Sequence, residues 1–190
     1  MTLPMTSEPA APRSESALER LVVAATAQMF AQHGVALEQK LGSDRAGPPS
    51  VREAAGAVGA LVELSGPLLR CELLILASFE LLASSRPAGE EADLSRLRAG
   101  DWIYVRDWTK ELVRQLGERV RDRLNPVGVV LSPGSPTAFS GSAAIAEGTR
   151  RGAPLELVSG SDRLRVWAHA TPSPWAEAAI AQADLRSREA

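Results

Sequence analysis

The chain has 190 residues, 21 of them basic and 23 acidic, for a net charge of −2, and 45% of its residues are apolar. A near-neutral balance excludes a general nucleic-acid binder, which needs a basic surface to displace phosphate counterions, and the apolar share suits a single cored domain. One cysteine, Cys71, excludes an intrachain disulfide and a thiolate metal cluster.

Residues 1–16 combine Pro and Ser without a basic or apolar leader pattern, so they read as a disordered N-terminus and not as a signal peptide. From Ala17, the residues Leu18, Leu21, Val22, Ala25, Met29 and Phe30 recur at helical spacing, and Gly34 is placed to stop the helix. Residues 42–50 are a loop of turn formers. Residues 57–64 and 68–76 flank Ser65-Gly66-Pro67 and predict a β-hairpin. A short helix is expected over 79–85, ended by Arg86-Pro87, and a charged segment over 87–101 follows. The strongest helix lies within Asp101–Leu124 and is broken by Asn125-Pro126. Strands are expected at 127–131 and 137–142, and a second hairpin joins 155–159 to 164–170 through Gly160-Ser161-Asp162-Arg163. Beyond Pro172 and Pro174, residues 172–190 form a C-terminal tail able to become a helix. Helices mixed with antiparallel hairpins, without βαβ alternation, give an α+β class with one domain over 17–171.

The common chemistries leave no trace. His33 and His169 are the only histidines, and neither has a second ligand at metal-binding spacing. Cys71, in an apolar strand, reads as a small buried hydrophobe. No phosphate-binding glycine loop and no nucleophile elbow occurs. Trp102, Tyr104, Trp108 and Trp167 are scattered, as packing residues are. No apolar run reaches the ~18 residues of a membrane helix. A cytoplasmic protein with no cofactor or metal of its own is expected.

The informative element is the helix of residues 107–124. Trp108, Leu112, Val113, Leu116, Val120 and Leu124 form one apolar stripe, which projects Asp107, Glu111, Arg114 and Glu118 together from the opposite face. From Arg106 to Arg123 there are six basic and four acidic residues, a slight positive excess. Glu111 can pair with Arg114 and Gln115, whereas Glu118 and Asp122 repel.

The string Asp107, Glu111, Arg114, Gln115-Leu116-Gly117, then Leu124, Gly128, Pro136 and Phe139-Ser140-Gly141 resembles the CheX-like chemotaxis phosphatase domain of the CheC/FliY/CheX superfamily. The first helix, the 57–76 hairpin and the final hairpin are similar in order, so the resemblance covers most of 17–171. It implies a mixed β-sheet with two long helices packed on one face.

Members of that family act on the phospho-aspartate of CheY-type receivers. The partner brings the acyl phosphate and a Mg2+ ion, a motif Glu contacts a partner Lys, and a motif Asn holds the attacking water in line with phosphorus. Glu111 occupies the Glu slot, with Asp107, Glu111, Arg114 and Glu118 as the partner-binding face. Arg114 stands where the Asn is expected. A guanidinium has only donors, so it cannot accept a hydrogen bond from that water, although it can bind phosphoryl oxygens. Gln115 carries a carboxamide ~100° further around the helix. Catalytic candidates are therefore Glu111, Arg114 and Gln115. The first helix has Val22 where a second site would need Asn. The resemblance implies either an aspartyl-phosphate phosphatase or a non-catalytic adaptor, with a flagellar-switch-like structural role as a third option. Family members also dimerise, and hairpin edges or exposed Trp residues would serve as the homodimer contact.

Overall fold

The computed structural model describes residues 15–40, 56–86 and 101–189. The N-terminal lead-in up to residue 14, the 42–50 loop and the charged segment over 87–100 lie outside the described residues.

Helix α1 (Ala17–Gln32) opens on a capping box in which Ser16 Oγ accepts from Glu19 N at 3.2 Å and Ser16 N donates to Glu19 Oε2 at 2.7 Å. Two of the helix's orphan N-terminal donors are thus satisfied locally. It ends at His33, after which Gly34 takes a left-handed φ of 77°. A two-residue strand β1 (Glu38–Gln39) leads out, and β2 (Ala57–Ser65) and β3 (Leu69–Ser78) form the expected hairpin, closed by Gly66 N donating to Leu69 O at 3.0 Å. Helices α2 (Phe79–Ser84) and α3 (Asp101–Leu124) follow, then a 3₁₀ turn over Asn125–Val127. The remaining elements are β4 (Ser132–Pro133), β5 (Thr137–Ser140), α4 (Ser142–Thr149), β6 (Leu155–Ser159), β7 (Asp162–Pro172) and α5 (Pro174–Glu189).

Among the described residues, seven strands form one sheet in the order β1-β6-β7-β3-β2-β4, and β5 also pairs with the outer edge of β2. The class is α+β, with one refinement: every pairing among the described residues is antiparallel, so the sheet is not mixed. Alternation along the strands splits the core in two. Val58, Ala60, Val62 and Leu64 of β2, with Leu69, Cys71, Leu73 and Ile75 of β3, face α1, α3 and α5. Ala57, Leu74, Leu76 and Trp167 face the opposite way, against Ala144 of α4. Central strands buried on both faces explain the nearly unbroken apolar run of β3.

Two segments differ from expectation. Residues 127–131 do not form a strand, because Gly128 turns the chain at a left-handed φ of 82° and pairing begins only at Ser132. Val129 and Leu131 are buried and Val130 is exposed, so the β-branched run is extended without a ladder partner there. Residues 142–149 are helical where only a strand end was expected at 137–142. The helix opens on Gly141, which has no side-chain cap, and at eight residues it barely exceeds two turns. Beyond Pro172, α5 adds Ala176, Ile180 and Ala183 to the main core. No helix among the described residues is long and apolar enough to cross a membrane.

Candidate functional site

The outward face of α3 is set by its inward face. Leu112, Val113, Leu116, Val120 and Leu124 are buried against the sheet and its neighbours. Gly117 lets the helix settle on β2, since a Cβ there would meet Leu64 Cδ2 at 3.1 Å and Val62 Cγ1 at 3.3 Å. With that stripe fixed, the helical period turns Asp107, Glu111, Arg114 and Glu118 toward solvent on one face.

The structure joins three of these four and sets the fourth apart. Arg114 holds Glu111 through a two-bond fork, Nε to Oε2 at 2.8 Å and Nη2 to Oε1 at 2.6 Å, and its Nη1 reaches Glu118. The side chains of Glu111 and Glu118 are each 36% exposed and that of Arg114 is 42%. One guanidinium thus sits between two carboxylates on an open surface. Asp107 pairs instead with Lys110, at 2.7 Å. Three carboxylates and two cations leave this group with one net negative charge. The positive excess of the helix therefore does not lie on this face. Asp122 bonds Arg121, which relieves the repulsion expected between Glu118 and Asp122.

The arrangement shifts two ionisations. The bond from Arg114 is the largest influence holding the Glu111 carboxyl below its ordinary value, partly opposed by burial and assisted by Gln115. The same bond to Glu111 raises Arg114 above the ordinary arginine value. Both charges are stabilised in place at neutral pH.

Gln115 is tied on both sides of its carboxamide. Its Nε2 donates to Glu111 Oε1 at 2.9 Å, and its Oε1 lies 3.2 Å from His33 Nε2. Because a carboxylate only accepts, the amide nitrogen must face Glu111 and the oxygen must face the imidazole. His33 therefore carries its proton on Nε2 and donates. The ring of His33 also stands edge-on to Trp108, with centroids 4.9 Å apart, and Trp108 Nε1 donates to Ser85 Oγ at 3.0 Å. This relay from α2 and α1 into α3 was not foreseen. Its only sequence signal is the i, i+4 spacing of Glu111 and Gln115; the reach of His33 across 82 positions is a product of packing.

Chemically, the face offers carboxylate acceptors and guanidinium donors, and the carboxamide oxygen of Gln115 is engaged with His33. Among the described residues, no group of three or more His, Cys, Asp or Glu side chains could hold a metal ion.

The sequence matches no family model and no curated protein sequence. Solved structures do match. The chemotaxis protein CheX of Vibrio vulnificus aligns over 81% of this chain and 99% of its own, with a TM-score of 0.60 at 14% identity. A CheC-like superfamily protein from Shewanella sp. PV-4 aligns over 83% and 99%, with a TM-score of 0.56 at 14% identity. A chain of the CheX-CheY-BeF3-Mg complex from Borrelia burgdorferi aligns over 79% and 95%, with a TM-score of 0.51 at 10% identity. The chain has the fold of these CheX and CheC-like structures.

Proposed function

We propose that this chain is a chemotaxis or two-component signalling domain that docks a phosphorylated CheY-type receiver on the outward face of α3, and that it does so without hydrolysing the aspartyl phosphate. The observation that carries this reading is the bridge of Arg114 between Glu111 and Glu118 on an open helix face. Glu111 presents a carboxylate to a cation of the partner, as the resemblance implies, and the fold it shares with the CheX of a CheX-CheY complex supports a receiver as that partner. In this reading the receiver supplies its own Mg2+ and the domain works in the cytoplasm.

Hydrolysis requires a group that accepts a hydrogen bond from the attacking water and aims its lone pair at phosphorus. Arg114 has no acceptor. Gln115 has one, but its side chain is tied to Glu111 and His33 and lies ~100° around the helix from Arg114. The residue at the motif position therefore fits a role in charge recognition, holding phosphoryl or carboxylate oxygens, better than one in water activation.

The test uses the CheY-type receivers of the same source. Each is activated with beryllofluoride and Mg2+ for binding, or phosphorylated for decay measurements. The expected outcome is saturable binding to an activated receiver, lost in Glu111→Lys, with a phosphate half-life unchanged by the domain. Failure to bind any receiver overturns the docking reading. Accelerated phosphate release would instead establish the phosphatase and remove the adaptor.

A further inference from the structure

The seam between α1 and α3, on the flank of the helix away from β4 and β5, carries two guanidiniums with only neutral partners. Arg119 Nη2 donates to Gln32 Oε1. Arg123 donates from Nη1 to the Leu21 carbonyl at 3.1 Å and from Nη2 to Gln28 Oε1 at 2.8 Å. No carboxylate among the described residues pairs with either. The two acids beside them in sequence are occupied elsewhere, Glu118 by Arg114 and Asp122 by Arg121 at 2.8 Å.

Like charges one helical turn apart repel. Here they are also partly withdrawn from water: burial first, and Arg119 second, lower the affinity of Arg123 for its proton. The Nε of Arg119 is buried and makes no hydrogen bond among the described residues. The C-terminal dipole of α3 accounts for Arg123, which lies in the last turn. It does not account for Arg119, which lies before that turn. Gln28 and Gln32, themselves one turn apart on α1, orient the two side chains without neutralising them. Such a fork pair lacks only the anion that guanidinium geometry favours.

We propose that Arg119 and Arg123, positioned by Gln32 and Gln28, form a binding site for a phosphate-type oxyanion in the α1–α3 seam. The site is separate from the Glu111–Arg114 face and stands independently of the receiver reading. The oxyanion is either free or carried as a phosphate monoester, since both present the same tetrahedral oxygens.

The experiment is a calorimetric titration of the full chain with inorganic phosphate and, separately, with O-phosphoserine, against chloride at equal ionic strength and with no receiver present. Saturable binding of phosphate is expected in the wild-type protein and in Arg121→Gln, whose guanidinium is paired with Asp122 on the other flank. Arg119→Gln and Arg123→Gln should each weaken it about tenfold or more, the effect of losing one charge-assisted hydrogen bond. Arg119→Lys and Arg123→Lys, which keep the charge and lose the fork, should fall between. Circular dichroism of each variant verifies folding, and Arg119→Gln remains informative if Arg123→Gln does not fold. Binding of O-phosphoserine as well assigns the site to monoesters, and binding of phosphate alone assigns it to the free anion. No saturable binding by the wild-type protein, or undiminished binding by the double Gln variant, overturns the proposal.

Discussion

Replacing Arg114 by Asn introduces the residue type that the resemblance implies at this position and removes the bridge on which the α3 face is built. Two ion pairs are lost, one to Glu111 and one to Glu118. All three side chains are more than a third exposed, so each pair is worth only ~0.3–0.5 kcal/mol after solvent screening. Asn is also poorer than Arg in a helix interior by roughly 0.5 kcal/mol. The variant should be less stable by about 1–1.5 kcal/mol, a fall in Tm of about 2–6 °C for a domain of this size. The pH dependence identifies the cause. A Glu111 carboxyl held below its ordinary 4.5 contributes stability that is fully present above that value and is lost as pH falls through the lowered one. Urea denaturation at pH 7 and at pH 3 should therefore show a larger gap between wild type and variant at pH 7, the gap narrowing as pH falls through the lowered value. A gap of the same size at both pH values, or unchanged by about 1 M salt, would refute the ionic account of this face. If the same variant speeds receiver dephosphorylation, Arg114 alone had blocked the chemistry.

Two further outcomes test the packing. At Gly148 in α4 an added Cβ would stand 2.8 Å from Cη2 of the buried Trp167 ring, so Gly148→Ala should lower stability by ~0.5–2 kcal/mol in a urea melt, overpacking outweighing the gain in helix propensity. A rise in Tm would mean that α4 shifts freely on the sheet. Cys71 is fully buried, and that burial pushes its thiol up to about 12. A colorimetric disulfide reagent at pH 8 should therefore label it only at the rate of unfolding, and immediate labelling of native protein would contradict the packing of β3.

The periodic elements were legible because their signals are local. The stripe of α3 needs only the 3.6-residue period and enough length to repeat, and the β2–β3 hairpin needs only Gly66-Pro67 between apolar runs. Signals that are short or lack a cap were not read. Helix α4 begins at an uncapped Gly141, and 127–131 has strand composition but no neighbour to pair with. The candidate face was legible in part. Spacing alone puts Glu111, Arg114 and Glu118 together, whereas the expectation of a water-orienting carboxamide at position 114 comes only from the family resemblance.

Spacing conveyed the pairing of Glu111 with Arg114 and Gln115, but not the contacts that reach from one helix to another. Covalent order and helical or strand period were enough for the class, the two long helices and the composition of the outward face of α3. It took the packed fold to bring His33 to the carboxamide of Gln115 and to set Arg119 and Arg123 against glutamines of α1 instead of acids. The physical reason is that charge pairing acts over a few ångströms, and those distances between α1 and α3 exist only once the shared apolar core has drawn the two helices onto the same face of the sheet.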